Sequence, residues 1–227
     1  RAEDRSGIIA IGGGLSLSVA AGKAGSSTAV SAGAAIAVNL ITTSATALIE
    51  DSTLSWATVA SGDLAVEATS DRTIGAYTLA GAVSVASGTQ GRGVAGAGAA
   101  SGSVNQIEGD TTATVRRSTA TVPGTVLVEA TDESGIISAA GGIAVAVGLS
   151  TRGNGGAGSF GAAFAINSIG KDGDPDEVWA EVDASTVSAG DTLTISTATP
   201  ADGPNQFANI LNPKLELYEP SGAMLTS

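Results

Sequence analysis

The chain of 227 residues has a net charge of −12, no Cys and no His, and its 43% hydrophobic content is mostly Ala and Val. The missing Cys excludes disulfides and thiolate metal sites, the missing His removes the commonest general base and metal ligand, and the acidic balance excludes nucleic acid as a partner, which needs a basic patch. With 32 Gly and only 3% aromatic residues, a thick core of Leu, Ile and Phe cannot be built, so the interior must be thin and its backbone layers close together.

The chain opens RAEDRSG, with neither an initiator Met nor an apolar signal core; it is expected to be a processed product or an excerpt of something longer. Leu15, Leu17 and Val19 then alternate with Ser16 and Ser18, and after the joint GKAGSS (22–27) Ile36 and Val38 alternate with Ala35 and Ala37. The apolar stretch 29–41 is too short for a membrane-spanning helix and is interrupted by Asn39. Ser52-Thr53 leads through ASGD (60–63) into LAVEAT. The order then recurs: Val83 and Val85, the joint GTQGRG (88–93), SGSVNQI, Ser118-Thr119, VPG (122–124) and VLVEAT. It recurs again with Ile143, Val145 and Val147, the joint STRGNGGAG (150–158), Phe164 and Ile166, Ser185-Thr186, SAGD (188–191) and TLTIST. Alternation at a period of two predicts strands. Gly inside the runs argues against helix, and the Gly-rich joints predict turns.

Asn39, Asn105 and Asn167 share a context and are spaced 66 and 62 residues apart, and Ile8, Ile74 and Ile136 each lie 31 residues before their Asn. VEATSDRTIGA from Val66 and VEATDESGIIS from Val128 match in the same register. The Ser-Thr pair follows the first two Asn by thirteen residues and the third by eighteen, the extra five falling in the acidic insertion KDGDPDE (171–177). The chain therefore divides into a three-copy repeat region, 1–199 (about 1–68, 69–130 and 131–199), and a Pro-containing segment, 200–227.

A unit of four or more strands that cannot close its own apolar face must stack on its neighbours. The expected fold is an all-β, elongated repeat β-solenoid with about three coils of roughly twenty residues in each repeat. The alternative is a set of long antiparallel hairpins in a β-sandwich or extended sheet. In the silk-like run VAGAGAASGSVNQI (94–107), Gly102 takes the place of Ile36 and Phe164. This predicts a local thinning, or a bulky neighbour such as Tyr77 leaning in.

The phrasing of AGAAIAVNLITTSATALIEDSTL and GDLAVEATSD resembles the Ala/Gly/Val-rich repeats of giant bacterial surface and secreted proteins, the filamentous-haemagglutinin-like adhesins and fusobacterial-leukotoxin-type repeats. The resemblance covers about residues 1–199 and implies a non-enzymatic stalk or fibre, extracellular or on the bacterial cell surface, with no catalytic residues. In the tail, KLELYEPSGAMLTS resembles about 15 residues of a bacterial pre-peptidase C-terminal module. That segment is expected either to begin a next module or to form a hairpin that caps the last coil or pairs with a neighbouring copy, since open strand edges invite pairing.

Candidate sites are few. Asp172, Asp174, Asp176 and Glu177 cluster around a Gly and a Pro and offer oxygen ligands to Ca²⁺, although the bidentate Glu of an EF-hand is missing; the plain alternative is a solvated loop, and no other cofactor is implied. Asn39, Asn105 and Asn167 are expected to bond backbone beside a strand, and with three coils per repeat they would not stack on one another. Glu50-Asp51, Arg116-Arg117 and Asp183 fall at equivalent places and set acid against base between copies. Paired glycosidase carboxylates would need a cleft with sugar-binding aromatics, and Trp56, Trp179, Tyr77 and Tyr218 are scattered. Thr46 aligns with Thr112, but Thr42 meets Glu108 and Thr43 meets Gly109, so no ice-binding threonine array is maintained. The expected partners are neighbouring copies of the chain in a fibre or filament.

Overall fold

A computed structural model describes residues 1–56, 61–170 and 176–199, and the backbone of 208–209, 212–218 and 224–226. Among these residues all regular structure is β. A short β1 (Ala2–Asp4) precedes a first coil of β2 (Gly7–Gly22), β3 (Ser27–Thr42), β4 (Ala45–Glu50), β5 (Thr53–Ser55) and β6 (Leu64–Ser70). The second coil is β7 (Thr73–Gly88), β8 (Gly93–Glu108), β9 (Thr111–Arg116), β10 (Thr119–Val122) and β11 (Val126–Asp132). The third is β12 (Gly135–Ser150), β13 (Gly155–Ile169), β14 (Glu177–Asp183), β15 (Thr186–Ala189) and β16 (Leu193–Ala198). Three strands follow: β17 (Ala208–Asn209), β18 (Asn212–Tyr218) and β19 (Met224–Thr226).

Equivalent strands stack in parallel into five sheets, ordered β1-β6-β11-β16, β2-β7-β12, β3-β8-β13-β17, β4-β9-β14-β18-β19 and β5-β10-β15. Among the described residues the only antiparallel pair is β18 with β19. The fold is a β-solenoid, and the antiparallel alternative does not occur in the repeats. One expectation is corrected: each repeat is one wide coil, not three coils of about twenty residues. Strands as long as sixteen residues consume a whole repeat in a single circuit, and every pairing among β1 to β16 joins residues one repeat apart.

The pairings match the repeat alignment. Ile8, Ile74 and Ile136 form one column, and Asn39, Asn105 and Asn167 another. The register step between the second and third coils is 62 residues at Asn105 and Asn167 and 67 after the acidic insertion. Gly102 lies between Ile36 and Phe164 as aligned. The bulky neighbour covering it is Phe164, whose ring would meet a Cβ at Gly102; Tyr77 belongs to β7, in the other long sheet.

The coil has a thick end and a thin end. At the thick end the β4, β5 and β6 sheets enclose Val66, Val115, Val126, Val128, Val178 and their neighbours. The columns Ile8–Ile74–Ile136 and Ile41–Ile107–Ile169 close this core at its inner margin. Beyond them the two long sheets run out as a flat fin, packed face to face through Ala35, Ala80, Ala82, Ala97 and Ala99. The sheets are so close that a Cβ on Gly14 would lie 2.1 Å from the Ala34 carbonyl oxygen, and one on Gly33 would lie 2.2 Å from that of Gly81. Because side chains alternate between faces, putting the small residues inside turns the branched ones outward. Leu15 is 92% and Ile11 82% exposed.

The fin interior sets a sharp test. Gly33→Ala drives Cβ into the backbone of the facing sheet and should lower stability by about 2–3 kcal/mol. Gly98→Ala, on the outer face with nothing within 4 Å of its Cβ, should be neutral or slightly stabilising. Urea denaturation of the two variants, followed by circular dichroism, measures the contrast.

Candidate functional site

Parallel, in-register stacking puts each polar residue directly over its counterpart, so the polar columns must satisfy themselves. The Asn column does so. Asn39 Nδ2 donates to Asn105 Oδ1 at 2.7 Å, Asn105 Nδ2 donates to Asn167 Oδ1 at 2.7 Å, and Asn167 Nδ2 ends on Ser138 Oγ at 2.8 Å. The expectation that these Asn are not stacked is therefore corrected, and the reason is the single coil per repeat. The ladder is inward-facing, with Asn39 and Asn105 buried, and it sits at the base of the fin next to the Ile41–Ile107–Ile169 column.

The Ser-Thr pairs mark a corner that recurs in every coil. Asp51, Arg117 and Ala184 precede them with φ of 49°, 47° and 45°, the left-handed region that bends β4 and its equivalents into the next strand. Each following Ser caps the turn: Ser52, Ser118 and Ser185 Oγ each donate at 2.8 Å to the carbonyl two residues back. Ser52 N also donates to Ser118 Oγ at 3.0 Å, and Ser118 N to Ser185 Oγ at 2.9 Å. The charge alternation expected here is present. Arg116 Nη2 lies 2.7 Å from Glu50 Oε1, Arg117 Nε lies 2.8 Å from Asp51 Oδ1, and Asp183 stacks on Arg116. Hydrogen bonds from Arg116 and Arg117 hold the Glu50 carboxyl below its ordinary range, and one from Arg117 does the same for Asp51. These groups are exposed, so the pairs add little to stability.

Arg72 is the polar residue that the sequence reading did not single out. Its side chain and that of Asp132 are fully buried and ion-paired. Arg72 Nη1 donates to the carbonyls of Thr43, Glu108 and Gly109 at 2.8, 2.9 and 3.1 Å, and Nε donates to Ser134 Oγ at 3.1 Å. It thus fastens the strand entering one long sheet to the segment leaving the other. Its columns are Asp4–Ser70–Asp132 and Ser6–Arg72–Ser134. In the first and third coils an Asp accepts from the backbone N–H two residues on, at 3.0 Å for Ser6 and 2.8 Å for Ser134. The middle coil exchanges this Asp-x-Ser for Ser70-x-Arg72, which puts a cation between two carboxylates. Burial raises the Asp4 carboxyl, but hydrogen bonds from Ser6 and Thr43 outweigh it and leave the group below its usual range.

Of the proposed calcium ligands, Asp172 and Asp174 lie outside the described residues. Asp176 Oδ2 accepts from Gly109 N at 2.7 Å, and Glu177 N donates to Asp110 Oδ1 at 3.0 Å. Among the described residues no group of three or more acidic side chains is arranged to hold a metal ion. Asp176 is bound into the corner by a backbone bond, and burial, with Asp110 and Glu108 nearby, raises its carboxyl above the usual range. Thr112 Oγ1 donates to Thr46 Oγ1 at 3.1 Å, and Trp179 takes their place in the third coil.

The fin is the remaining feature. Its six long strands carry one charged residue, Glu108, at the end of β8. Both outer faces expose large apolar side chains, and among the described residues no helix is long and apolar enough to cross a membrane. No family model matches the sequence, and no match was found among curated proteins or solved structures.

Two outcomes follow from the buried charges. Asp132→Ala leaves the Arg72 guanidinium unpaired in the interior and should destabilise the fold by about 3–5 kcal/mol in urea denaturation, with Arg72→Met/Asp132→Leu recovering much of the loss. For Asp176, a folded-state pKa above the unfolded one means that ionisation opposes folding at neutral pH. Asp176→Asn should therefore raise the melting temperature at pH 7, and the gain should shrink as pH falls through the carboxylate range.

Proposed function

We propose that the chain is a non-enzymatic structural repeat segment of an extracellular bacterial fibre, stalk or adhesin. One observation carries the reading: each coil repeats its neighbour in register, so equivalent strands stack in parallel through the three coils. Coils of this kind gain stability from the coils next to them. The buried charged and amide groups, Arg72, Asp132 and the Asn ladder, bond to one another and to the backbone of the stack.

The coil dimensions refine the role. A coil advances about 4.8 Å along the stack, so three coils add roughly 14 Å, whereas a strand of sixteen residues extends about 50 Å across it. A segment built for length alone would use narrow coils. This one gives most of its residues to breadth, and a fibre made from it would carry a continuous lateral ribbon.

A second reading is a self-polymerising filament subunit joined by terminal strand addition. It is favoured by β18, which adds a fourth parallel strand beside β14 before β19 turns back on it. Antibodies raised against the chain and applied to intact cells of its source should label extended surface fibres. Labelling that appears only after the cells are permeabilised would remove both readings. Filaments of the purified chain that lengthen along the coil axis, seen by electron microscopy, would favour the second over the first.

A further inference from the structure

The outer face of the β2-β7-β12 sheet is flat, apolar and uncharged over its whole length. Leu17, Val83 and Val145 form one row across the three coils, and Val19, Val85 and Val147 the next. Three strands of about 50 Å at a spacing of about 4.8 Å make a face of roughly 700 Å². The largest apolar patch on an ordinary monomer covers about 300–600 Å², and a standard interface takes about 800 Å² from each partner. The opposite face of the fin is less regular: Gly96, Gly98 and Gly158 leave a trough between Val30 and Phe160.

Charge is sorted along the same surface. The three turns at the fin tip carry Lys23, Arg92 and Arg152 and no acidic residue. At the other end, where β1, β6 and β11 run into the fin, the same side of the molecule carries Glu3, Glu67, Asp71, Glu129 and Glu133 against Arg1 and Arg5, both Arg flanking β1. Tip and base are therefore of opposite sign in the second and third coils, with a neutral apolar span of about 50 Å between them.

We propose that this face binds a second copy of the chain across a two-fold axis parallel to the coil axis. That operation reverses the strand direction and preserves the coil direction. It lays the basic tips of the second and third coils on the partner's acidic base, Arg92 towards Asp71 and Arg152 towards Glu133, sets Lys23 towards the Arg5–Glu3 pair, and covers the apolar rows between them. An isologous contact of this kind is self-complementary and closes at two copies. Because both chains run the same way along the coil axis, two fibres built from such coils would lie side by side along their length. The inference concerns this surface alone and stands whether or not the chain belongs to a fibre.

The test is oligomeric state by analytical ultracentrifugation of the full chain, with circular dichroism to verify folding. The wild type should be a dimer that weakens with added salt. Leu17→Asp/Val145→Asp should raise its dissociation constant at least about tenfold, since each carboxylate would be buried without a partner. Val38→Asp/Ile166→Asp, on the opposite face, should leave it unchanged. The chain has no Cys, so Asp71→Cys/Arg92→Cys adds the only two thiols; they lie about 50 Å apart within one chain. Under oxidation this variant should form covalent dimers, and it keeps the proposal testable if the Asp variants fail to fold. A wild type that stays monomeric, or that binds phosphatidylglycerol vesicles as a monomer, would overturn the proposal. So would an open-ended polymer, a dimer broken only from the Val38 face, or a Cys variant that yields no covalent dimer.

Discussion

The separation of the two long sheets is the constraint on which the rest of the structure depends. Face-to-face sheets ordinarily stand about 10 Å apart with interdigitated side chains between them. In the fin the backbone of one sheet meets the small side chains of the other, and at Gly14 and Gly33 it leaves no room for a Cβ. A gap that narrow accepts Gly, Ala and Ser and little else. Since successive residues point to opposite faces, the branched residues needed for β-propensity have only the outside left. The thin core and the exposed aliphatic rows are two consequences of one spacing.

A second constraint acts along the stack. In a parallel in-register ladder every residue has its equivalent above and below it, which rewards side chains that bind their own kind. Asn does this through its amide, with a donor and an acceptor on one group, and so does Ser at the corners. Like charges do not, and the chain deals with them at the corner by alternation, as in the Glu50–Arg116–Asp183 column, and in the interior by inserting a cation between carboxylates, as Arg72 does; Glu67 and Glu129 stack like on like on the solvent side. The Asn ladder and Arg72 both lie where thick and thin cores meet. There the inter-sheet distance changes, apolar packing alone would leave gaps, and directional bonds to backbone and to neighbouring coils hold the two sheets in place.

Much of this was legible in the sequence, because parallel stacking keeps columns in register and a column is visible as a spacing. The Ile8 and Asn39 columns, the Ser-Thr corners, the five-residue insertion and the Gly102 alignment were all read from residue identity and number. The size of the coil was not. Strand alternation reports that a segment is extended, and it carries no information about how far the chain runs before it turns back over itself. Once the coil was assumed to be short, the Asn ladder was lost with it. Arg72 was hidden for the opposite reason: it breaks its column. The available signal was that Asp4-x-Ser6 and Asp132-x-Ser134 share a pattern that Ser70-x-Arg72 departs from, and in a repeat protein a departure at an inward position needs a partner. For the calcium loop, the sequence offers carboxylates, and the described part of the loop shows one of them, Asp176, already bonded to the Gly109 backbone.

The width of the coil ties the architecture to what it can do. A solenoid that spends more than sixty residues on a rise of about 4.8 Å is an inefficient spacer, and the excess lies in the fin. The thick end holds a closed apolar core of its own. What the fin adds is area: two flat faces with almost no charge, a basic tip, and an acidic base at the far end of the same surface. Selection for solubility alone would place charges on such faces. Their near absence from the six long strands, with charge kept at the tip and the base, is the distribution expected of a surface shaped to be covered.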